Sequence, residues 1–367
     1  MRAITVVPGT PAAHVVERPE PKLSAPDQVK LQVLRVGICG TDREQAAGGR
    51  ALVPDGQRDL VMGHEMFGRV VEVGDKVRSV KPGDYALFTV RRGCGKCTPC
   101  HLKRPDMCRT GDYRERGIWG LDGFQAQFVV DTEDWLVHVP ESIAHLGVLA
   151  EPMSVIEKAI DEAVRIQVVR MPAGQATPNW LNGRRCLVAG LGPIGMLAGM
   201  VLRLRGAEVW GMDVVPADSA RPKWFANIGC CYLDGREVKA TQIDEKAGTL
   251  DLIVEATGVP NIMFELIDAL AEDGIAALTG IPHGDRRSDL PAADLARQLV
   301  LSNRILLGSV NAARDHFQMG IDDLGLAHLR WGGLVEDIIT HRYPVEKIDE
   351  ALGKKPEDEI KAVIEWM

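Results

Sequence analysis

Residues 188–195 read VAGLGPIG and carry the spacing Gly-x-Gly-x-x-Gly. An apolar run, Cys186–Ala189, predicts a strand that leads into these glycines, and a second run, Met196–Leu204, predicts a helix after them. The next predicted strand ends in an acidic residue, Asp213. In this context the glycines allow a tight turn, close approach of the backbone to a pyrophosphate and close helix–strand packing. A glycine-rich turn in an α/β domain that binds no nucleotide is the alternative, but the context favours dinucleotide binding at the helix start.

The chain around this motif, from about 184 to 309, alternates predicted strands with predicted helices. Four further apolar runs predict strands: Glu208–Met212, Leu252–Glu255, Ile275–Leu278 and Ile305–Val310. Because these runs are apolar almost throughout, they are typical of parallel strands that are covered on both faces. This zone therefore predicts a parallel sheet between two layers of helices.

Residues 1 to about 150 have a different texture, with short β-branched runs broken by glycine and proline. Several of these runs alternate apolar and polar residues, as half-buried antiparallel strands do: Val29–Val36, Gly68–Val73, Asp84–Val90 and Phe124–Val130. From Glu151 the period becomes helical, with Pro152 in the first turn. The tail predicts a helix at His316–Leu329 and a strand at Ile338–Tyr343. We therefore expect a mostly-β, barrel-like part beside the parallel sheet.

Composition narrows the class of protein. The 367 residues are 46% hydrophobic and 26% charged, which is typical of globular domains and not of a disordered chain. The balance of 43 basic against 51 acidic residues gives a net charge of −8, which argues against nucleic acid or an anionic membrane as a partner. No apolar run approaches the ~20 residues of a membrane span, and the first residues do not look like a signal peptide. A cytoplasmic protein is the expectation.

Four of the eight cysteines, Cys94, Cys97, Cys100 and Cys108, fall in one loop. Four thiolates can close a tetrahedral sphere around Zn²⁺ and leave no open position, which is typical of structural zinc. An iron–sulfur cluster is the alternative, but its ferredoxin-type motif places the fourth cysteine three residues on and before proline. Here the gap is seven residues and Arg109 follows. We predict structural zinc in the loop 94–108. Of the other four cysteines, we interpret Cys186, Cys230 and Cys231 as small buried residues.

A second candidate metal set is dispersed along the chain. Cys39 follows a predicted strand, His64 and Glu65 stand together after Gly63, and Glu151 begins a predicted helix. Taken singly, Cys39 is better explained as a buried thiol, His64 as a hydrogen-bonded core histidine and Glu151 as an acid favoured by a helix dipole. Beside a dinucleotide fold they suggest more, because a mixed Cys/His/carboxylate set leaves the open zinc position that alcohol oxidation requires.

These motifs, in this order, resemble the zinc-dependent medium-chain dehydrogenase/reductase superfamily, and within it the glucose 1-dehydrogenase branch. The resemblance also rests on CGTDRE (39–44), TVRRGC (89–94), DGF (122–124), EPMSVIEK (151–158), GSVN (308–311) and HRYP (341–344). It implies an α/β fold in which residues 1–183 and 311–367 form a GroES-like, mostly-β catalytic domain. The inserted residues, 184–310, are expected to form a Rossmann domain with a doubly wound parallel sheet.

The same resemblance implies roles for single residues. Cys39, His64 and Glu151 would hold a catalytic zinc, and Glu65 would be an exchangeable ligand or an acid just beyond the ligands. Thr41 matches the hydroxyl that relays the substrate proton, and Asp42 would orient His64 through its other ring nitrogen. The implied substrate contacts are Thr41, Glu115, Glu151 and Asn311, with Glu115 placed in a loop.

The implied cofactor contacts comprise the glycine loop, Asp213 and residues on the nicotinamide side: Gly190, Leu191, Gly192, Pro193, Ile194, Gly195, Thr257, Thr279, Gly280, Ile281, Ser309, Val310 and Asn311. A carboxylate such as Asp213 accepts hydrogen bonds from the adenosine ribose. It is followed by Val214, Val215 and Pro216, and no cation comes before Arg221. We therefore predict that NAD is preferred over NADP, unless Asp213 merely caps a turn.

The combined prediction is a zinc-dependent NAD(P)-linked enzyme that oxidises the C1 hydroxyl of an aldose such as glucose to the lactone. A sorbitol- or threonine-type dehydrogenase of the same superfamily is the alternative. A zinc-independent quinone reductase or a non-catalytic dinucleotide-binding protein is a more distant one, which the presence of Cys39, His64 and Glu151 disfavours. The resemblance further implies a small sugar as substrate and a homo-oligomer, either dimer or tetramer.

Overall fold

A computed structural model describes residues 1–171, 177–282 and 290–366. They form two compact units. The β unit comprises Met1–Ser154 and the chain from Asn311 to its end, and the parallel-sheet unit comprises Val155–Val310. The sequence placed the first boundary at 184. In the structure it falls inside a helix, Ala150–Arg170, so that most of this helix groups with the parallel sheet.

The described residues contain nineteen strands, numbered in chain order: β1 (Arg2–Val6), β2 (Ala13–Glu17), β3 (Gln28–Ile38), β4 (Leu60–Val61), β5 (Glu65–Val73), β6 (Tyr85–Phe88), β7 (Arg91–Arg92), β8 (Arg114–Arg116), β9 (Gly120–Leu121), β10 (Phe128–Thr132), β11 (Leu136–Val139), β12 (Arg185–Ala189), β13 (Glu208–Asp213), β14 (Cys231–Asp234), β15 (Leu250–Glu255), β16 (Leu270–Leu278), β17 (Ile305–Gly308), β18 (Ile339–Pro344) and β19 (Lys361–Glu365).

Within the same described ranges there are ten α-helices: α1 (Gly40–Ala46), α2 (Thr98–His101), α3 (Ala150–Arg170), α4 (Pro193–Leu204), α5 (Ala220–Asn227), α6 (Ile243–Ala247), α7 (Pro260–Glu265), α8 (Ala292–Leu301), α9 (Arg314–Trp331) and α10 (Ile348–Leu352). Short 3₁₀ segments occupy Pro105–Met107, Glu133–Trp135, Glu141–Leu149, Ala240–Gln242, Leu266–Ala269, Gly332–Ile338 and Val345–Lys347. Among the described helices, none is both long and apolar enough to cross a membrane.

The β unit is built from both ends of the chain. Its main sheet has the order β11-β6-β5-β3-β19-β18, with β10 also paired to β3. The late strand β19 pairs antiparallel with β3, which places Val363 opposite Gly37. Smaller sheets, β2-β1-β4 and β7-β8-β9, complete the unit. The sequence did not predict β19, although its side chains are almost completely buried.

The parallel-sheet unit has one six-stranded sheet in the order β14-β13-β12-β15-β16-β17, and every neighbouring pair is parallel. Counted from its first strand this order is 3-2-1-4-5-6, the doubly wound order of dinucleotide-binding folds. The predicted α/β architecture, mostly β at both ends of the chain and a parallel sheet between them, is confirmed. The edge strand β14 was missed, and the interpretation of Cys231 as buried is wrong, because it lies exposed on that edge while Cys186 and Cys230 are buried.

Candidate active site and cofactor site

The register of two neighbouring strands brings the dispersed metal set together. β3 and β5 pair antiparallel with Gly37 opposite Glu65, so the residue after β3 and the residue before β5 lie side by side. Cys39 Sγ stands 3.3 Å from His64 Nε2. These two atoms and a carboxylate oxygen of Glu65 all lie within 4.8 Å of one another.

Asp42 organises this cluster from the first turn of α1. Its Oδ2 accepts a hydrogen bond from the Cys39 backbone N–H at 2.8 Å. Its Oδ1 faces His64 Nδ1 at 4.0 Å, and both atoms are buried without a hydrogen-bond partner in the described residues. The imidazole therefore presents Nε2 toward the thiol and its other nitrogen toward a carboxylate, as in the predicted arrangement.

Lys361 on β19 is a buried partner that the sequence did not reveal. Its ammonium group forms an ion pair with Glu65 and donates a hydrogen bond to the Ile38 carbonyl at 2.9 Å. Both side chains are almost fully buried. Residue 37 must be glycine, because a Cβ there would stand 2.1 Å from Glu65 Oε2. No local signal could have found Lys361, since it lies almost three hundred residues from Glu65 and meets it only through sheet pairing.

Glu151 lies in the first turn of α3, as predicted, but its oxygens lie outside the group of donor atoms within 4.8 Å of one another. Burial raises its pKa to about 7, the charge of His64 opposes this rise and the charge of Glu65 adds to it. The structure thus groups Cys39, His64 and Glu65 as the tight cluster, with Glu151 close enough to share its electrostatic field.

The charges of the cluster act strongly on one another. Burial raises the pKa of the Cys39 thiol, and the Asp42 carboxylate raises it further. Burial disfavours protonation of His64, but the charges of Cys39 and Asp42 outweigh this and hold its pKa well above the ordinary value. A cation that replaced these protons would be bound by sulfur, nitrogen and oxygen donors, the mixed set that suits a catalytic Zn²⁺. The residues present fit that metal.

The four cysteines of the loop 94–108 lie together, half-buried, with all four sulfurs within 4.8 Å of one another. Cys97 Sγ is 3.4 Å and Cys94 Sγ is 3.9 Å from Cys100 Sγ. Zn–S bonds of about 2.3 Å imply sulfur–sulfur edges of roughly 3.8 Å in a tetrahedron. A hydrogen bond from Thr110 lowers the pKa of Cys94 to about 6, which favours the thiolate. The donor set and its size fit structural zinc.

The glycine loop joins β12 to α4 in the parallel-sheet unit. A Cβ at residue 195 would stand 1.8 Å from the Gly190 carbonyl oxygen, so only glycine allows this approach. Gly192 caps α4, and Pro193 follows it in the first turn. Apart from its two chain neighbours, no described residue lies within 4 Å of where a Cβ on Gly192 would point. Open space at a helix N-terminus fits a pyrophosphate.

Asp213 ends β13 beside this loop. Its Oδ2 accepts a hydrogen bond from the Leu191 backbone N–H at 2.8 Å, and its Oδ1 accepts one from Val214 at 2.6 Å. The sequence argument placed no cation near it, and the structure corrects this. Arg221 Nη1 stands 3.8 Å from Asp213 Oδ2, because the start of α5 turns back toward the strand end.

The residues predicted for the nicotinamide side follow three neighbouring parallel strands, β15, β16 and β17. Thr279 and Gly280 donate backbone hydrogen bonds to the Glu255 carbonyl, and the Glu255 side chain accepts the Thr257 N–H. Ser309 is buried and its hydroxyl has no hydrogen-bond partner in the described residues. Ile281 and Val310 are exposed. Carboxyl ends of parallel strands are where doubly wound sheets bind ligands.

Glu115 and Asn311 meet in the β unit. Asn311 Nδ2 donates a hydrogen bond to Glu115 Oε1 at 2.7 Å. Asn311 has a positive φ of 61°, and Glu115 is buried in β8, not placed in a loop as predicted. Thr41, the other predicted substrate contact, is half-buried in the first turn of α1.

Comparison with known proteins agrees with both units. The model of the family described as "Glucose dehydrogenase C-terminus" matches residues 144–366, and that of the "Alcohol dehydrogenase GroES-like domain" matches residues 25–141. The chain is 36% identical to glucose 1-dehydrogenase of Methanocella arvoryzae over 367 residues, covering 100% of this chain and 99% of the relative. It is 38% identical to glucose 1-dehydrogenase 2 of Vulcanisaeta moutnovskia over 370 residues, with the same coverage.

A solved structure is similar over the same length. Glucose dehydrogenase of Haloferax mediterranei, in complex with NADP, Zn and gluconolactone, superposes with a TM-score of 0.88 at 30% identity, covering 100% of this chain and 99% of that one. The GroES-like and Rossmann-type architecture predicted from the sequence is confirmed by these matches.

Proposed function

This chain belongs to the glucose dehydrogenase branch of the zinc-dependent medium-chain dehydrogenase/reductase superfamily, and we propose that it oxidises the C1 hydroxyl of an aldose, glucose first, to the lactone. The observation that carries the proposal is full-length similarity to a glucose dehydrogenase solved in complex with NADP, Zn and gluconolactone. A Cys/His/carboxylate cluster in the β unit and a dinucleotide fold in the same chain support it, because dehydrogenation of an alcohol needs both.

Cys39, His64 and Glu151 would hold the catalytic zinc, with Glu65 as an exchangeable ligand or an acid just beyond the ligands. Bound there, zinc lowers the pKa of the sugar hydroxyl. The Lys361 ammonium group neutralises the Glu65 carboxylate and weakens it as a ligand. Glu151 has no such ion pair in the described residues, and it is therefore the carboxylate that completes the set. Cys94, Cys97, Cys100 and Cys108 hold the structural zinc.

Thr41 takes the proton from the sugar hydroxyl and passes it outward. It is two residues from Cys39, at the start of α1, and the residue is half-buried. Asp42 keeps Nε2 of His64 directed at the metal by facing its Nδ1. The remaining chemistry belongs to the nicotinamide ring, which accepts the hydride.

Glu115 and Asn311 contact the sugar hydroxyls. A buried carboxylate beside an amide offers both acceptors and donors, as a polyhydroxylated substrate requires. Gly190, Gly192 and Gly195 hold the cofactor pyrophosphate, and Thr257, Thr279, Gly280, Ile281, Ser309 and Val310 lie along the nicotinamide side. These assignments place the sugar in the β unit and the cofactor phosphates on the parallel-sheet unit.

A coupled screen of aldoses, polyols and hydroxy amino acids with NAD and NADP tests the function. We expect the highest kcat/KM with glucose or a related aldose, a lactone as product and about two zinc ions per chain. A polyol or L-threonine as the best substrate would favour the sorbitol- or threonine-type alternative. Zinc content of one or none would contradict the zinc-dependent mechanism.

NAD is preferred over NADP by at least about tenfold in kcat/KM, equivalent to ~1.4 kcal/mol. Asp213 supports this preference, because its carboxylate is fixed against the glycine loop and would repel a 2′-phosphate. Arg221 offsets part of that repulsion, so the preference is moderate. The similar Haloferax enzyme is in complex with NADP. The cofactor preference of this chain therefore has to be measured with both NAD and NADP.

Steady-state kinetics with both cofactors test this preference. We expect Asp213→Ala to narrow it and Arg221→Ala to widen it, since the two variants remove opposite charges from the same place. Equal or better use of NADP by the unsubstituted enzyme contradicts the preference. The same direction of change in both variants contradicts the charge argument.

The chain acts as a homo-oligomer, a dimer or tetramer, in the cytoplasm. The oligomer is supported by apolar exposure next to an edge strand: Val300 and Leu301 at the end of α8 are largely exposed, and β17 borders the parallel sheet. The compartment is supported by eight free cysteines, four of them in a thiol cluster that requires reducing conditions. Light scattering of the purified protein tests the oligomer, and a monomer at micromolar concentration contradicts it.

A further inference from the structure

Arg91 is a buried arginine that none of the roles above uses. It lies on β7 directly opposite Glu115 on β8. Its Nε and Nη2 donate hydrogen bonds to Glu115 Oε1 at 3.1 and 2.8 Å, and its Nη1 donates one to the Asp106 carbonyl at 2.9 Å. The guanidinium plane also lies over the Tyr113 ring, 4.1 Å from its centre. Each nitrogen of the guanidinium group is thus fixed.

These contacts determine how Glu115 is presented. Oε1 accepts both hydrogen bonds from Arg91 and a third from Asn311 Nδ2. Oε2 accepts none of these three bonds, so the carboxylate is held in one rotation, and among the described residues its second oxygen remains available to accept from a ligand. Asn311 is held as well, because its Oδ1 also accepts the Ala312 N–H at 2.9 Å.

The anchor on the other side is the four-cysteine loop. Asp106 lies in the 3₁₀ segment Pro105–Met107, two residues before the ligand Cys108. The carbonyl that holds Arg91 is therefore part of the loop that the cysteines close. The guanidinium group of arginine is planar and carries three nitrogens. Two of them can donate hydrogen bonds to a carboxylate while the third donates to a carbonyl.

A buried arginine–carboxylate pair adds little net stability compared with apolar residues of the same volume, because desolvation offsets the attraction. Stability alone therefore does not account for Arg91. We propose that Arg91 is a positioning residue that fixes the Glu115–Asn311 pair for the sugar. The inference rests on the proposed function, because it takes that pair as the sugar contact.

The test compares Arg91→Met with a matched control, Arg92→Met. Arg92 is the next residue of the same strand, but its guanidinium group pairs with Asp131 at 2.6 Å and lies over Trp135. For Arg91→Met we expect the Kd of gluconolactone and the KM of glucose to rise about 10–100-fold, with the KM of NAD and zinc content unchanged. We expect kcat to change by less than about threefold, because Arg91 touches no reacting atom.

Arg92→Met removes a comparable buried ion pair and is expected to lower Tm similarly, with the Kd of gluconolactone unchanged. Arg91→Lys keeps the charge but loses the planar guanidinium group. Its Kd for gluconolactone should lie between those of Arg91→Met and the unsubstituted enzyme. In a Glu115→Gln background, Arg91→Met should raise the Kd no further, since it acts through Glu115. Calorimetry measures the affinities, and thermal unfolding shows that each variant is folded.

An unchanged Kd in Arg91→Met, an equal rise in Arg92→Met, or fully additive effects with Glu115→Gln would each overturn the proposal. If the screen identifies another alcohol as the substrate, the KM of that alcohol is measured in place of the KM of glucose. The same ratios of variant to unsubstituted enzyme then test the role of Arg91. If the unsubstituted enzyme binds neither sugar nor polyol, the proposed function falls and this inference with it. If it binds and Arg91→Met binds equally well, only the role of Arg91 is refuted.

Discussion

The two candidate metal-binding clusters of the β unit are built in opposite ways. Cys94, Cys97, Cys100 and Cys108 come from one short loop, are half-buried and lie together through local turns. Cys39, His64 and Glu65 come from two strands, and the charged groups Asp42, Glu151 and Lys361 act on them. Four thiols can be brought together by a single loop. The mixed Cys/His/carboxylate cluster needs paired strands to hold its residues and neighbouring charges to set their pKa values.

This difference separates stability from reactivity. Removing a metal from the loop would take away a cross-link of a segment with little regular structure, since α2 has a single turn. Removing it from the dispersed cluster leaves β3 and β5 paired along their whole length. The first loss is expected to affect folding, and the second is expected to affect chemistry.

The largest expected effect comes from removing each metal separately. A chelator of moderate strength should remove the Cys39/His64/Glu151 zinc first, because that site has fewer thiolate ligands and an open position. Activity should disappear while the protein remains folded. Zinc content, activity and Tm are measured together during the titration.

Cys94→Ser provides the matched comparison for this experiment. It should retain the catalytic zinc, and its Tm should fall because the loop is no longer closed by a metal. Loss of activity in Cys94→Ser without any loss of stability or assembly would show that the four-cysteine loop is not structural.

The next largest effect tests the proton path at the dispersed cluster. Thr41→Val should lower kcat by about 10²–10⁴-fold with zinc content unchanged, as expected for loss of a positioned proton-transfer group. Thr41→Ser keeps the hydroxyl and should retain most of the activity. Turnover of Thr41→Val close to normal across the pH range would mean that the proton leaves by another route.

The buried ion pair of Lys361 and Glu65 is expected to matter next. Lys361→Met leaves a buried carboxylate without its cation and should lower the free energy of unfolding by about 3–5 kcal/mol. Denaturant unfolding of the zinc-loaded protein measures this. Lys81→Met, which removes the exposed pair with Asp84, should cost no more than ~1 kcal/mol. Equal losses in the two variants would show that burial of the Glu65 pair has no energetic consequence.

The smallest expected effects concern the groups that hydrogen-bond or face the ligands. Asp42→Asn should weaken catalytic zinc binding about 10–100-fold, because it removes the charge that faces His64 Nδ1. At the other cluster, Thr110→Val removes the hydroxyl 3.4 Å from Cys108 Sγ and should weaken structural zinc binding by no more than this. Competition with a metal indicator gives both affinities. A larger loss of zinc affinity in Thr110→Val than in Asp42→Asn would contradict this expectation.

The four-cysteine loop and the glycine motif could be predicted from sequence because their geometry is local. Spacing alone determines whether four thiols can meet in a loop, and a strand, three glycines and a helix determine a phosphate site. Spacing did not predict the relation of Cys39 to His64, since it depends on the register of β3 and β5. It was predicted from the chemistry that a dinucleotide fold requires and from the family resemblance. The sequence did not predict that Arg221 lies close to Asp213. Spacing along the chain does not show that the start of α5 turns back toward the end of β13.

The sequence by itself determined the fold class, the four-cysteine set and the acidic end of the second Rossmann strand, because each follows from periodicity or from spacing along the chain. The grouping of Cys39 with His64 and Glu65 depends instead on strand register. Only the tertiary structure decided which charges face them. Lys361 reaches Glu65 because β19, near the end of the chain, pairs with β3. Arg91 reaches Glu115 because two short strands place them opposite each other. Pairing between distant strands leaves no periodic signal in the chain, so the electrostatic surroundings of a site emerge only when the sheets are assembled.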